Sequence, residues 1–301
     1  MTIAAETHDE TRGILYAGGA YAVWGIVPLY WQHLADVSPV EITMHRIVWC
    51  SLVGLLVTAV RGRVSRFISV LGTARVMAAL AASSMLISVN WTIYVYCVST
   101  HRLVEASLGY YLTPLVSIAL GVIVLGEKVS RLRLVAIALA TAAVAVQALA
   151  LGGIPWIAPA LALTFGFYGY VRKLTPVDAM DGLTIETSLL LPLTVPVLVF
   201  WALQGSAAFP APTVARNVLL IGTGPLTAVP LVLFAAGARR VRLTTLGFLQ
   251  YFSPTLTLLV ATLILGERFT ATNLVTFGCV WAALVLVSLE GRLGSWSRRL
   301  A

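Results

Sequence analysis

Apolar residues fall along this chain in long unbroken runs, and short loops between them carry most of the charge. A helix that crosses a bilayer needs about 20 mostly apolar residues. That ruler gives ten runs, at about 13–34, 42–60, 76–98, 103–125, 132–151, 154–171, 183–203, 217–238, 243–265 and 271–289. Lipid offers no hydrogen-bond partner, so each run must satisfy its own backbone, and the reading is helix. A transmembrane barrel would show short segments of alternating polarity instead. The longest stretches between runs, 61–75 and 204–216, are too short for a soluble catalytic domain.

The pattern also repeats. ASLGYYLTPL at 106–115 opens a stretch, 103–149, that returns without a gap 140 residues further on. Tyr111, Pro114, Leu125, Gly126 and Glu127 meet Tyr251, Pro254, Leu265, Gly266 and Glu267. Matching Leu and Ala would mean little in so apolar a chain, but a spaced Tyr-Pro-Leu-Gly-Glu pattern met twice marks an internal repeat. The expected fold is an all-α membrane protein of ten transmembrane helices, arranged as two inverted-topology five-helix repeats at 1–151 and 152–301. Five is odd, so the two halves enter the membrane in opposite senses. Inverted repeats are typical of secondary transporters, whose substrate sits near midplane where the repeats meet.

Composition agrees with a bilayer. Charged residues make up 11% of the 301, against about 25% in soluble domains. The net charge of +8 gains meaning from its placement. Sixteen Lys and Arg fall on the side of the termini: Arg12, Arg61, Arg63, Arg66, Arg75, Lys128, Arg131, Arg133, Arg172, Lys173, Arg239, Arg240, Arg242, Arg292, Arg298 and Arg299. Three fall opposite (Arg102, Arg216, Arg268), and Arg46 lies inside a span. Cytoplasmic loops carry the positive excess, so both termini are expected in the cytoplasm. No basic face with interleaved aromatics occurs, so no nucleic-acid partner is expected. Cys50, Cys97 and Cys279 read as small buried hydrophobes, and with the scattered histidines they form no metal set. The polar, slightly acidic first dozen residues lack a signal-peptide character, so the first run is expected to stay as a membrane helix.

Several short motifs have structural readings. Gly126 suits a left-handed helix cap, Ser130 and Thr270 suit N-caps, and Glu127 and Glu267 suit a positive helix end. GVIVLGEK at 121–128 lacks the lysine of a phosphate loop, and GTGP at 222–225 lacks the third glycine of a dinucleotide loop. Pro114, Pro192, Pro196, Pro225, Pro230 and Pro254 each remove a helix hydrogen bond. They read either as packing kinks or, at the repeat-related Pro114 and Pro254, as a cavity wall. Tyr30 and Trp31 lie near a helix end and read as interface anchors.

Polar and aromatic residues deeper in the spans are the site candidates. Asn90, Trp91 and Tyr94 lie on the third run, Tyr110 and Tyr111 on the fourth, and Gln250 and Tyr251 on the ninth. Asn90 and Tyr111 are about 10–12 Å below the outer surface at 1.5 Å per residue. Each needs a partner, either another helix or a ligand. Arg46 and Glu186 stand at equivalent positions, 140 apart, with opposite charge. Both sit within about 5–9 Å of a helix end, so two readings are open. They snorkel to the interface, or Arg46 binds an anionic or carbonyl group and Glu186 a cation or proton. Asp178 and Asp181 fall in a loop, and no catalytic set lies within the spans, so an enzyme is not expected.

Tyr21 to Gly25 with Pro28, His45-Arg46 to Trp49, Asn90-Trp91, EASLGYYLTPL at 105–115, GLTIETSLLLP at 182–192 and LGFLQYFSPT at 246–255 carry a family likeness. Over nearly the whole chain the sequence resembles RarD-type proteins, a branch of the EamA-type carriers in the drug/metabolite transporter superfamily. The resemblance implies the ten-helix fold above in a bacterial cytoplasmic membrane. RarD proteins are associated with chloramphenicol sensitivity and described as permeases, with no defined physiological substrate.

The function expected is therefore a secondary transporter of small metabolites or drugs. A non-transporting structural or receptor-like membrane protein is the alternative. The partners expected are a small-molecule substrate, the lipid bilayer and a coupling proton or ion; no cofactor is expected, and the oligomeric state is left open. The charge split sets a test. Single cysteines replacing Arg66 and Ala207, in a cysteine-free background, are expected to label from the cytoplasmic and outer sides respectively. Labelling of both from one side would contradict ten spans.

Overall fold

A computed structural model describes residues 3–99, 103–150, 152–154, 156–264 and 271–297. Gly266, Glu267, Arg268 and Thr270, the second copy of the Gly-Glu junction, lie outside the described residues, as do Leu265 and Arg102. Regular structure among the described residues is helical throughout. In order the helices are α1 (Ile3–Ile26), α2 (Pro28–Trp31), α3 (Pro39–Val60), α4 (Val64–Leu71), α5 (Ala74–Ser99), α6 (Leu103–Ala119), α7 (Arg131–Ala150), α8 (Ile157–Leu174), α9 (Ala179–Ser188), α10 (Leu191–Leu203), α11 (Val214–Ala238), α12 (Leu243–Gln250), α13 (Phe252–Leu259) and α14 (Ala271–Ser297). Six stretches are long and apolar enough to cross a membrane, or seven if the bent pair α9 and α10 counts as one. Shorter apolar helical stretches run through α6 and α14.

The seventh apolar run is not one straight helix. It breaks between α9 and α10 with a bend of 52°. Pro192 explains the position, because its ring meets the carbonyl four residues back and offers no N–H. Milder interruptions fall just before Pro28, between α1 and α2, and at Tyr251, three residues before Pro254, between α12 and α13; each of these stretches still counts as one span. Pro114 is different, since α6 runs through it unbroken. The repeat-related prolines therefore sit in unlike helices. A π-helical turn follows in both places, at Leu120–Val124 and at Val260–Ile264, again 140 residues apart. Asp181, expected in a loop, is buried in the first turn of α9, whose N-terminus is capped by the Asp178 carboxylate accepting from Met180 N–H at 3.1 Å.

Packing follows membrane rules. Large apolar side chains such as Leu56, Leu149, Leu203 and Leu263 point outward, while small and hydroxyl residues fill the interior. Lipid tails are as apolar as leucine, so helices associate through close packing of small residues and interior hydrogen bonds. Ala136, Ala140 and Ala143 form a fully buried stripe on α7, and their 140-offset counterparts Thr276, Val280 and Ala283 on α14 are fully buried too. A Cβ on Gly247 would lie 2.7 Å from the Pro114 carbonyl oxygen, so glycine lets α12 cross α6. A Cβ on Gly224 would lie 2.6 Å from the Trp49 backbone, which seats α11 against α3. Cys50 and Cys97 are buried small side chains, and Cys279 is half-buried.

The Gly-Glu junction has the caps the sequence suggests, with one difference. Gly126 takes a φ of 64°, and Ser130 Oγ accepts from Arg133 N–H at 3.1 Å. Glu127 does sit at a positive helix end, but at that of α12 in the other half. Its carboxylate accepts from Leu243 N–H at 2.6 Å and Thr244 N–H at 2.9 Å. Free N–H groups at a helix start attract a carboxylate wherever in the chain it comes from.

Candidate substrate cavity

Where the helices of the two halves meet, they line a cavity of about 460 Å³. Thirteen of its 22 lining residues precede residue 152 and nine follow it. Nine are aromatic, and none is Asp or Glu. Tyr21, Trp24, Phe165 and Phe234 pack edge-on or tilted at centroid distances of 5.3–6.2 Å, so α1, α8 and α11 share one aromatic wall. Such pairs hold rings in fixed orientations.

Among the described residues Arg46 is the only charged one in the lining. It projects from α3, where Nε donates to Thr227 Oγ1 of α11 at 3.0 Å. The guanidinium lies 4.6 Å from the Trp91 ring centroid and 5.5 Å from that of Trp31. Contacts of this kind are worth about 2 kcal/mol when desolvated. Among the described residues no carboxylate is within ion-pair distance, and Nη1 and Nη2 make no hydrogen bond. Trp31, expected as an interface anchor, lines the cavity beside this guanidinium. Tyr30 donates to the Leu219 carbonyl at 2.5 Å and so ties α2 to α11.

Asn90, Trp91, Tyr94, Tyr110, Tyr111 and Gln250 also line the cavity. Asn90 Nδ2 donates to Leu161 O at 3.0 Å and Thr164 Oγ1 at 2.9 Å, leaving its carbonyl oxygen free. Gln250 Oε1 accepts from Ser117 Oγ at 3.0 Å. Tyr94 and Tyr110 face each other at 6.2 Å. Tyr111 is 7% exposed, and Tyr251 is fully buried outside the lining, where its hydroxyl donates to the Tyr111 carbonyl at 3.2 Å. The two equivalent tyrosines therefore touch. Gln147 and Thr227 are lining residues that the sequence reading did not single out. Gln147 is a lone amide in the fifth apolar run, and Thr227 sits between Pro225 and Pro230; both signals were present.

Glu186 does not reach the cavity, and neither does it snorkel. It is 1% exposed on α9. Ser83 donates to its Oε1, Tyr168 OH lies 3.5 Å from Oε2, and Arg172 Nη1 is 3.6 Å from Oε1. Arg172, counted above among the loop charges, is itself 1% exposed, and its Nη2 donates to Ala179 O at 3.2 Å. A Cβ on Gly182 would fall 2.0 Å from Arg172 Nη1, so only glycine leaves room for the guanidinium. The pair binds α5, α8 and α9 together.

These features define a multi-pass helical membrane protein with an internal, aromatic-walled, positively charged cavity. A model of the EamA-like transporter family matches residues 11–149. An uncharacterized transporter of Vibrio cholerae is 40% identical over 99% of both chains. Protein RarD of Escherichia coli K12 is 39% identical, covering 95% of this chain and 96% of that one. A crystal structure superposes with a TM-score of 0.69 at 16% identity, over 93% of this chain and 97% of the other, which shows a shared fold. The chain belongs to the EamA-like transporter family, in the RarD-type branch of the drug/metabolite transporter superfamily.

The buried pair sets a test of stability. Removing one partner of a buried ion pair leaves an uncompensated charge and costs about 3–5 kcal/mol, whereas replacing both with apolar residues is often neutral. Glu186→Leu and Arg172→Met are each expected to lower the melting temperature in detergent, and the double variant to recover most of the loss. Additive losses in the double variant would show that the two side chains do not act as a pair.

Proposed function

We propose that the protein is a secondary transporter, a permease that moves small metabolites or drugs across the cell membrane by alternating access. One observation carries this reading: a cavity lined from both halves of the chain, around a guanidinium with no acidic partner among the described residues. Arg46 and the aromatic and amide residues Asn90, Trp91, Tyr94, Tyr110, Tyr111 and Gln250 bind substrate in this reading. Tyr251 joins them when the cavity opens to the other face. Membership of a transporter family weighs against an enzyme.

The framework of the proposal is ten spans in two inverted repeats, 1–151 and 152–301. The equal spacing of the two π-helical turns, the seam of α7 on α14 and the Tyr251–Tyr111 contact support it. The clustering of Lys and Arg supports cytoplasmic termini, and the bacterial origin of the relatives supports the inner membrane. Inverted repeats move substrate by exchanging conformations. Here α6 is continuous through Pro114 while its counterpart is parted at Tyr251, three residues before Pro254, and Tyr111 lines the cavity while Tyr251 is sealed. Exchange of the two conformations would bring Tyr251 into the cavity and bury Tyr111, so that the opening changes sides.

The sequence holds no nucleotide-binding motif, so in this account a gradient, or the substrate itself, drives transport. We assign the coupling proton or ion to Glu186, which stands apart from the cavity and pairs with Arg172. Uptake and efflux screens in proteoliposomes test the proposal. Arg46→Gln keeps hydrogen-bonding capacity and removes the charge; it is expected to lower flux of any transported compound at least tenfold (~1.4 kcal/mol), with the melting temperature unchanged. Glu186→Gln is expected to alter the pH dependence of flux instead. Full flux in Arg46→Gln would remove Arg46 from the substrate site.

A further inference from the structure

The cavity has a charge, a shape and a set of free polar atoms, and together they specify a ligand. Among the described residues its formal charge is +1, from Arg46, since none of those that line it is Asp or Glu. With Nε held by Thr227, the free Nη1 and Nη2 form the end-on edge of the guanidinium. Two parallel N–H groups at that spacing match the two oxygens of a carboxylate. Arg46 itself lies over one face of Trp31 and one face of Trp91, so a ligand cation there would meet its positive charge. Tyr21, Trp24, Phe165 and Phe277 add further aromatic lining.

We infer that the cavity selects monoanions with an aromatic or apolar body, of the arylcarboxylate class, and discriminates against amines. The carboxylate docks on Arg46 and the ring lies against the aromatic wall. The ammonium of a zwitterion or an amine would face a fixed positive charge with no carboxylate to balance it. Among the free polar atoms only acceptors such as Asn90 Oδ1 could meet it. This inference rests on the transporter reading only in taking the cavity as the substrate site.

Four compounds with one indole body separate charge from shape: indole-3-acetate, tryptophol, tryptophan and tryptamine. Their binding to the purified full-length protein is measured by titration calorimetry near neutral pH. Hydrogen bonds to a charged group are worth enough to give indole-3-acetate an advantage of about 10- to 100-fold over neutral tryptophol. Tryptophan and tryptamine are expected to bind more weakly than tryptophol. Arg46→Gln should reduce the anion preference to about twofold while tryptophol binding, which reports an intact cavity, is kept. Arg46→Lys retains the charge and should retain the order. The inference is overturned if tryptamine or tryptophan binds as tightly as indole-3-acetate, if Arg46→Gln keeps the preference, or if indole-3-acetate does not bind. Arg46-dependent binding without flux in proteoliposomes would overturn the transporter reading and leave the ligand class standing; flux of amines alone would do the reverse.

Discussion

A lipid surround removes the driving force that assembles soluble proteins. Helices here gain nothing by hiding leucine, so interior closeness and interior polarity must hold them. The alanine stripe of α7, the glycines at 182, 224 and 247 and the buried Glu186–Arg172 pair all follow from that constraint. So does the cavity. Space that small residues do not fill is walled by aromatic rings, which pack at angles and leave room between them.

The same constraint explains why Arg46 is informative. A guanidinium at the centre of a membrane helix costs about 2.5–3.5 kcal/mol on insertion scales. One hydrogen bond to Thr227 and two tryptophan faces offset part of that cost while leaving one edge open. Arg172 differs in its surroundings, being shut away from the cavity beside a carboxylate. It is enclosed against Gly182 and paired with Glu186, with no access to the cavity. The two buried arginines thus sit differently, one between packed helices and the other at the cavity.

Much of this was legible in the sequence, and the rest was hidden for physical reasons. Helix positions follow from run length, because lipid enforces helix wherever the chain is apolar enough. Six of the nine site residues chosen from depth and polarity, besides Arg46, line the cavity. Tyr251 and Glu186 do not, because depth along a helix says nothing about which way a side chain faces. The break at Pro192 was readable as a lost hydrogen bond, but its 52° bend depends on neighbours far away in sequence. Glu127 was recognised as a helix-end carboxylate, yet its partner helix begins 116 residues later, beyond local pattern. The place of Trp31 beside Arg46 is likewise hidden, because position near a helix end is the one cue the sequence provides.

The central claim is that two equivalent helices exchange conformations around one cavity. Cysteines replacing Tyr111 and Tyr251, one at a time in a protein lacking Cys50, Cys97 and Cys279, report this directly through their rate of reaction with a small thiol reagent. In the conformation described, position 111 lines the cavity and position 251 is sealed. Addition of a transported compound should shift the population between states and move the two rates in opposite directions. Rates that change together, or not at all, would contradict the exchange and leave the tyrosines as packing residues.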